Sequence, residues 1–148
     1  MSEHATGGVD DGSSPLPYLE VETTVDTERF WSELAAGRFV LPWCSRCDTW
    51  VWQPRPICPR CLEEADAERR WSGEGAVYSF SIVHRGTPGF DAGGPYVLSY
   101  VTLDDGPTVM SNIVGAGALD VAIGDRVRLV GPVENVKVGA CRFELIAA

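Results

Sequence analysis

The sequence predicts a mainly β protein with one short N-terminal helix, a small metal-stapled module and a C-terminal barrel of five strands. Two observations carry this prediction. Four cysteines stand in the pattern C-x2-C-x10-C-x2-C in the first half of the chain. After them, a stretch of roughly 75 residues alternates short β-type segments with turn residues. The 148 residues suffice for one medium domain or two very small ones.

Residues 1–25 are predicted to form a disordered acidic tail. They are rich in Gly, Ser, Asp and Pro and poor in aromatic residues, so burial could not offset the entropy lost on ordering. The chain has a net charge of -9, and six of its 21 acidic residues lie among residues 1–26, which contain no Lys or Arg. We therefore expect this tail to be dispensable for folding.

Residues 26–37 are predicted to form a helix. Asp26 is a suitable N-cap, and Gly37 can adopt the left-handed conformation that ends many helices. Between them, Phe30, Trp31 and Leu34 share one face at helical spacing. Such an apolar face must pack against another element.

The next predicted module is a ribbon over residues 38–72. Two thiols separated by two residues can converge on one ion, and two such pairs make a closed tetrahedral site with no position left for water or substrate. We therefore predict one structural zinc ion per chain, with iron as a minor alternative. Disulfide bonds are disfavoured, because the first residues lack the features of an export signal. The predicted metal ligands are Cys44, Cys47, Cys58 and Cys61.

The residue after the second cysteine of each pair is not the glycine often found there. Asp48 tolerates a left-handed backbone, whereas Leu62 does so poorly, so the second knuckle is expected to be less regular. The charged stretch 63–70 is predicted to be a solvated loop or a short turn.

Residues 73–148 are predicted to form a barrel. Five short segments with alternating or continuous apolar character are separated by turn residues, with a long connection between the third and the fourth. This arrangement suits a small Greek-key barrel of the OB type. The predicted strands are 77–83, 96–103, 108–114, 126–130 and 142–146.

No catalytic residue is predicted. A catalytic triad needs a histidine, and only His84 lies outside the tail, at the end of a strand where a structural role is commoner. Cys141 lies outside the metal set and has no nucleophile motif around it. The adjacent Asp104 and Asp105 are explained by a hairpin turn. The glycines at 115–117 are not followed by the residues that a phosphate-binding loop requires.

Several motifs in a fixed order carry a family resemblance. They are the Phe-Trp helix, the link Pro54-Arg55-Pro56 between the cysteine pairs, and the barrel motifs Gly75-Ala76-Val77-Tyr78-Ser79-Phe80, Pro88-Gly89-Phe90, Pro95-Tyr96-Val97 and Leu103-Asp104-Asp105-Gly106. In these motifs the chain resembles the zinc-ribbon/OB-fold proteins associated with acyl-CoA metabolism, long classed as a domain of unknown function. The resemblance covers residues 27–147 and implies a rubredoxin-like zinc ribbon before the OB-fold.

The resemblance implies an accessory subunit that is not catalytic alone. Members of this family form complexes with thiolase-superfamily proteins, among them thiolases, acyltransferases and the retro-aldolases of steroid side-chain degradation. They stabilise the partner and help to shape its acyl-CoA or substrate site. We therefore expect a hetero-oligomer around a thiolase-like dimer, in which acyl-CoA is shared with the partner.

Six residues are candidates for contact with the partner or with CoA. The five tryptophans fall between residues 31 and 71, and a thin ribbon cannot bury them all, so some should form an exposed apolar patch. Arginines of the ribbon could meet phosphate groups, although solvated loops explain them equally well. The candidates are Trp31, Trp50, Trp52, Arg46, Arg55 and Arg60.

The main alternative is an OB-fold module that binds single-stranded nucleic acid. Such proteins place aromatic residues along a basic groove, whereas residues 72–148 hold five basic against eight acidic residues. This balance argues against nucleic acid as a partner. A third hypothesis, a stand-alone hydrolase or lyase, lacks a supporting group of residues.

No apolar run approaches the roughly 20 residues that span a bilayer, so we expect a soluble, cytoplasmic protein without membrane contact.

Overall fold

The computed structural model of the chain describes residues 16–17, 22–91, 93–130 and 141–147. Within these ranges it contains one α-helix, eight strands and one 3-10 turn, Ala118–Asp120. The helix is α1 (Glu28–Ala35), and the strands are β1 (Val40–Cys44), β2 (Thr49–Trp50), β3 (Ala67–Arg70), β4 (Glu74–Val83), β5 (Tyr96–Leu103), β6 (Thr108–Val114), β7 (Arg126–Leu129) and β8 (Arg142–Leu145). The predicted mainly β class is confirmed.

Helix α1 begins two residues later than predicted, because the chain first makes a turn. In that turn, the Thr27 amide donates to the Thr24 carbonyl oxygen at 3.0 Å. Thr27, rather than Asp26, therefore occupies the N-cap position. At the other end, Gly37 has a φ of 74°, and its amide donates to the Leu34 carbonyl oxygen at 2.9 Å. Gly37 thus terminates the helix in the way the sequence predicts.

The ribbon contains a three-stranded antiparallel sheet in the order β2-β1-β3. The third strand lies where the sequence predicts a loop or turn, so that prediction is wrong for Ala67–Arg70, in which Arg69 pairs with Leu41 of β1. Glu68, Arg69 and Arg70 are exposed on this edge strand. Charged side chains protect sheet edges from pairing with other chains, and they also remove the hydrophobic pattern by which a strand is recognised.

Strands β4 to β8 close into a five-stranded barrel in the order β4-β5-β6-β8-β7. Neighbouring strands are antiparallel except β6 and β8, which pair in parallel. The start of β4 lies so close to β5 that a side chain at Gly75 would place its Cβ 2.5 Å from the Thr102 carbonyl oxygen. Only glycine fits at this position. The closed barrel of five strands confirms the predicted OB-type fold.

Helix, ribbon and barrel share one hydrophobic core. Buried residues of α1 and of the ribbon belong to the same cluster as the buried residues of the barrel strands. Phe39 contacts Phe30 and Trp71 edge to face, with ring centroids 5.5 and 5.0 Å apart. The buried members are Phe30, Leu34, Phe39, Leu41, Trp71, Val77, Val97, Val101, Leu103, Val109, Ile113, Val121, Val127 and Phe143.

The predicted disorder of residues 1–25 does not hold at Leu16 and Pro17. The Leu16 side chain is buried, and both carbonyl oxygens accept hydrogen bonds from the guanidinium of Arg142 in β8. The rest of the predicted tail up to residue 21 lies outside the described residues.

Candidate metal centre and partner surface

The four predicted metal ligands come together. Their sulfur atoms all lie within 4.8 Å of one another, and the Sγ atoms of Cys44 and Cys61 are 3.6 Å apart. A tetrahedral ion with metal–sulfur bonds of about 2.3 Å needs sulfur–sulfur distances of about 3.8 Å. Cys44 and Cys58 are buried, and Cys47 and Cys61 are half-buried. The group therefore fits one closed tetrahedral ion, as the ligand pattern predicts.

The backbone around the second cysteine pair favours a thiolate. Amide N–H groups of Cys61 and Arg60 point at the Cys58 sulfur and lower its pKa to about 7. Burial, and then the hydrogen bonds that the Cys47 thiol makes with its neighbours, Cys61 first, raise the pKa of Cys47 to about 12. Four thiolates this close repel one another, so a cation is needed to hold them together in the ionised form.

Both knuckles have the left-handed turn that glycine usually provides. Asp48 has a φ of 49° and Leu62 a φ of 62°. The Leu62 amide donates to the Cys58 carbonyl oxygen at 2.9 Å, which completes the turn below the sulfur. The second knuckle is therefore formed despite the leucine, and it has the strain of a branched residue in the left-handed region.

Side chains brace the two knuckles against each other. The Asp66 carboxylate accepts a hydrogen bond from the Ser45 amide at 2.8 Å, and this N–H lowers the pKa of Asp66. Arg46 of the first knuckle forms an ion pair with Glu63 beside the second. Arg46, which the sequence offers as a phosphate ligand, therefore already has a carboxylate partner.

The other two candidate arginines are exposed on the ribbon surface. The Arg55 Nε donates to the Gln53 carbonyl oxygen at 3.3 Å, which is a local contact within its loop. Arg60 contributes its backbone amide to the Cys58 sulfur. Neither arginine lines the groove that is described below.

The five tryptophans divide into two buried and three half-exposed side chains. Trp43 and Trp71 are 7% and 5% exposed, while Trp31, Trp50 and Trp52 are intermediate. The half-exposed three are the tryptophans that the sequence proposes for partner contact. Trp50 nevertheless has an internal role, because its indole N–H donates to the carbonyl oxygen of Asp105 in the β5–β6 turn.

Trp31 and Trp52 belong to a groove of about 510 Å³, here called the barrel groove. It lies between α1, the ribbon segment after β2, and the outer face of β5 and β6. Its lining residues are Thr27, Phe30, Trp31, Trp52, Gln53, Pro54, Leu98, Tyr100, Thr108, Met110, Ser111, Asn112 and Cys141. None of them carries a charge, and the groove thus offers apolar surface with a few neutral polar groups.

The barrel contributes groove residues that sequence reasoning missed. Leu98, Tyr100 and Met110 are 37%, 48% and 59% exposed, although they lie in regular strands. They alternate with buried residues of β5 and β6, so they face outward. Both faces of β5 contain large apolar residues, and the outward face contains Leu98 and Tyr100. A strand face in contact with water would be mostly polar, so this pattern in the sequence could have indicated a covered surface.

Two further residues that the sequence singles out lie apart from the metal centre. His84 is exposed just after β4. Cys141 is half-buried beside the barrel groove, and burial raises the pKa of its thiol to about 12. The Ser111 hydroxyl donates to the Cys141 carbonyl oxygen at 2.5 Å, which fixes the backbone where β8 begins.

Two family models match the chain in the order in which the elements occur. Residues 31–66 match the rubredoxin-like zinc ribbon domain of ChsH2, and residues 68–131 match the C-terminal OB-fold domain of ChsH2. Together they cover about two thirds of the chain.

Curated relatives match more than half of the chain. A DUF35 domain-containing scaffold protein of Methanocaldococcus jannaschii is 35% identical over 88 residues, which are 59% of this chain and 62% of that protein. A probable enoyl-CoA hydratase alpha subunit of Thermomonospora curvata is 34% identical over 97 residues, 64% of this chain and 30% of that protein. The chain thus spans less than two thirds of the length of these relatives.

Solved structures share the fold. A chain of an Ltp2-ChsH2(DUF35) aldolase superposes with a TM-score of 0.72 at 26% identity and covers 85% of this chain and 98% of that chain. A DUF35-family protein of unknown function from Sulfolobus solfataricus gives a TM-score of 0.62 at 16% identity, over 84% and 87% of the two chains.

Among the described residues, no helix is long and apolar enough to cross a membrane.

Proposed function

Because the chain belongs to the ChsH2 (DUF35) family of zinc-ribbon and OB-fold proteins, we propose that it is a non-catalytic accessory subunit of a thiolase-fold enzyme. One relative is described as a scaffold protein, and one similar structure is an Ltp2-ChsH2(DUF35) aldolase. Both descriptions support a role in an enzyme complex. The partner of this chain would be a thiolase, an acyltransferase or a retro-aldolase, including those of steroid side-chain degradation.

The observation that carries the proposal is the barrel groove. Its apolar side chains come from all three parts of the fold, with the half-buried Trp31 from the helix, the half-buried Trp52 from the ribbon and the exposed Met110 from the barrel. A chain with a net charge of -9 has ample polar residues to cover a solvated face. An uncharged apolar groove with half-exposed tryptophans is typical of a surface that another protein covers.

The zinc ion would have a structural role. Cys44, Cys47, Cys58 and Cys61 would bind one ion, which fixes the ribbon strands on which the groove depends. The ion would supply positive charge to four thiolates and leave no position for substrate. The ribbon segment after β2 would then present Trp52 to the groove in one fixed orientation.

The finer part of the proposal concerns the substrate. We place the chain beside the acyl-CoA site of the partner, in a hetero-oligomer around a thiolase-like dimer in the cytoplasm. Arg55 and Arg60 are exposed on the ribbon and would be available to CoA phosphates, whereas Arg46 would first have to leave Glu63. Trp50 would act through the ribbon–barrel contact rather than by touching the partner.

Nucleic-acid binding is the alternative that the experiment must separate. OB-folds bind single strands on the outer face of their second and third strands, which correspond here to β5 and β6. That face has Tyr100 for stacking, but no lining residue of the barrel groove is basic. A phosphate backbone would find no counter-charge in it.

The test is co-expression with the thiolase-fold protein of the same organism, followed by size-exclusion chromatography. We expect one complex from the unchanged chain and a loss of co-elution for Met110→Glu, because a carboxylate would be desolvated in the interface. Tyr78→Glu is the matched control, since Tyr78 is 67% exposed on the barrel and does not line the groove. A monomer that ignores the thiolase-fold protein but binds single-stranded DNA with a strong salt dependence would refute the proposal.

A further inference from the structure

The barrel holds an N-terminal segment by a buried arginine. Arg142 is 3% exposed; its Nη1 donates to the Leu16 carbonyl oxygen at 3.1 Å and its Nη2 to the Pro17 carbonyl oxygen at 2.5 Å. Leu16 itself is 5% exposed. The guanidinium thus donates to two successive carbonyl oxygens, and the leucine beside it is buried. This combination is typical of a site that binds an extended peptide.

The sequence of the segment matches this chemistry. Leu16 stands between Pro15 and Pro17. Proline has no amide N–H, so these three residues offer three carbonyl acceptors but one donor. A proline also restricts its predecessor to extended conformations, in which the carbonyl groups are free of internal hydrogen bonds. An external donor with two parallel N–H groups is therefore the natural partner, and arginine provides it.

Leu16 also lines a cavity in the surface of the barrel. Its side chain forms part of the wall of a cavity of about 430 Å³ between the loop before β5 and the turns after β6. Pro95, Val97, Val114 and Ala118 contribute apolar surface to the same cavity. The segment Leu16-Pro17 is therefore held in two ways, by apolar contact at the Leu16 side chain and by hydrogen bonds from Arg142 to its carbonyl oxygens.

The position of Arg142 links this contact to barrel closure. Arg142 is the first residue of β8 and pairs with Asn112 in the parallel β6–β8 ladder. β8 has only four residues, and it joins β6 to β7, so the closed barrel depends on it. A buried guanidinium at its start must be satisfied for the strand to stay in place.

We propose that the β6–β8 seam is a peptide-binding site for an extended, proline-flanked leucine segment, and that Leu16-Pro17 of the same chain occupies it. The N-terminal segment then acts as a clasp on β8 rather than as a dispensable tail. This inference is independent of the proposed partner, because it concerns the chain by itself.

The test uses the full chain with Leu16→Asp, which puts a carboxylate into the cavity, and with the milder Leu16→Ala. We expect both to lower the melting temperature, the former by roughly 5 °C or more, and to accelerate amide hydrogen exchange in residues 142–145. Val25→Asp is the control, because Val25 is 92% exposed. Unchanged melting and unchanged exchange of β8 in Leu16→Asp would overturn the clasp.

A second measurement tests the site itself. A synthetic peptide with the sequence of residues 12–21, added to the Leu16→Asp protein at up to roughly millimolar concentration, should bind and restore the slow exchange of residues 142–145. The same peptide with Leu16→Asp should do neither. Equal behaviour of the two peptides would show that the seam does not recognise the leucine and would overturn the proposal.

Discussion

The indole N–H of Trp50 donates a hydrogen bond to the carbonyl oxygen of Asp105. Trp50 lies in β2, directly after the first cysteine pair, and Asp105 lies in the turn between β5 and β6. The turn that carries this carbonyl is also tied to β7, because Asp104 accepts a hydrogen bond from Arg126 Nη1 at 2.8 Å. The ribbon, which contains the four cysteines, and the barrel strands that form the groove are therefore joined by a specific polar contact.

Replacing Trp50 by phenylalanine should lower the stability of the chain without releasing zinc. The aromatic contact with Trp43, at a centroid distance of 5.2 Å, would largely remain, while the hydrogen bond to Asp105 would be lost. We expect a decrease of about 1 kcal/mol in the free energy of unfolding, measured by denaturant titration. An unchanged midpoint with normal zinc content would mean that the contact does not join the two parts.

Cys58→Ser should lose the zinc ion and most of the fold. Removing one thiolate from a closed site forfeits much of the metal's folding free energy, which is roughly 10–16 kcal/mol in zinc peptides. Elemental analysis should find one zinc per chain in the unchanged protein and much less in the variant. Cys141→Ala is the control and should keep its zinc. A Cys58→Ser protein that is equally stable without metal would contradict a structural role, and iron in the unchanged protein would correct the identity of the ion.

The parts of the fold that the sequence predicts well are those in which a local pattern has one physical cause. The cysteine spacing fixes the ligand set, and turn residues such as Gly106 mark the barrel strands. The predicted strand 96–103 coincides with β5, Tyr96–Leu103. The helix, the ribbon and the barrel bury their apolar faces in one core. The predicted boundaries between these units, at residues 37 and 72, therefore stay predictions.

The missed features depend on contacts between distant residues. β3 shows no apolar pattern, because three of its four residues are charged and exposed. The clasp joins residues separated by 126 positions, which composition cannot reveal. The barrel groove needs Trp52 and Tyr100 to approach each other across two parts of the chain. Sequence reasoning found the tryptophans by counting how many indoles a ribbon can bury, but not the strand residues opposite them.

Leu62→Gly should stabilise the protein. Leu62 has a φ of 62° and is 76% exposed, so the variant relieves left-handed strain and loses little buried surface. Strain of about 1–2 kcal/mol, less the added entropy of glycine in the unfolded chain, leaves an expected gain of about 0.5–1 kcal/mol in the free energy of unfolding. Asp48→Gly should gain less, because aspartate tolerates this conformation better. A loss of stability in Leu62→Gly would show that the leucine side chain makes contacts of its own.

The Cys141 thiol should be unreactive in the folded protein despite its place beside the barrel groove. Burial disfavours the thiolate and raises the pKa of Cys141 to about 12, against the smaller opposing effect of the Ser111 hydroxyl. At pH 8 the thiolate fraction is then on the order of a thousandfold below that of a free cysteine. Alkylation by iodoacetamide in zinc-loaded protein, mapped to Cys141 by mass spectrometry, should be at least about a hundredfold slower than in the chain unfolded with urea. Because the pKa is raised, the rate should keep rising by about tenfold per pH unit from pH 8 to pH 10, whereas a plateau near pH 9 would indicate an ordinary, solvent-accessible thiol.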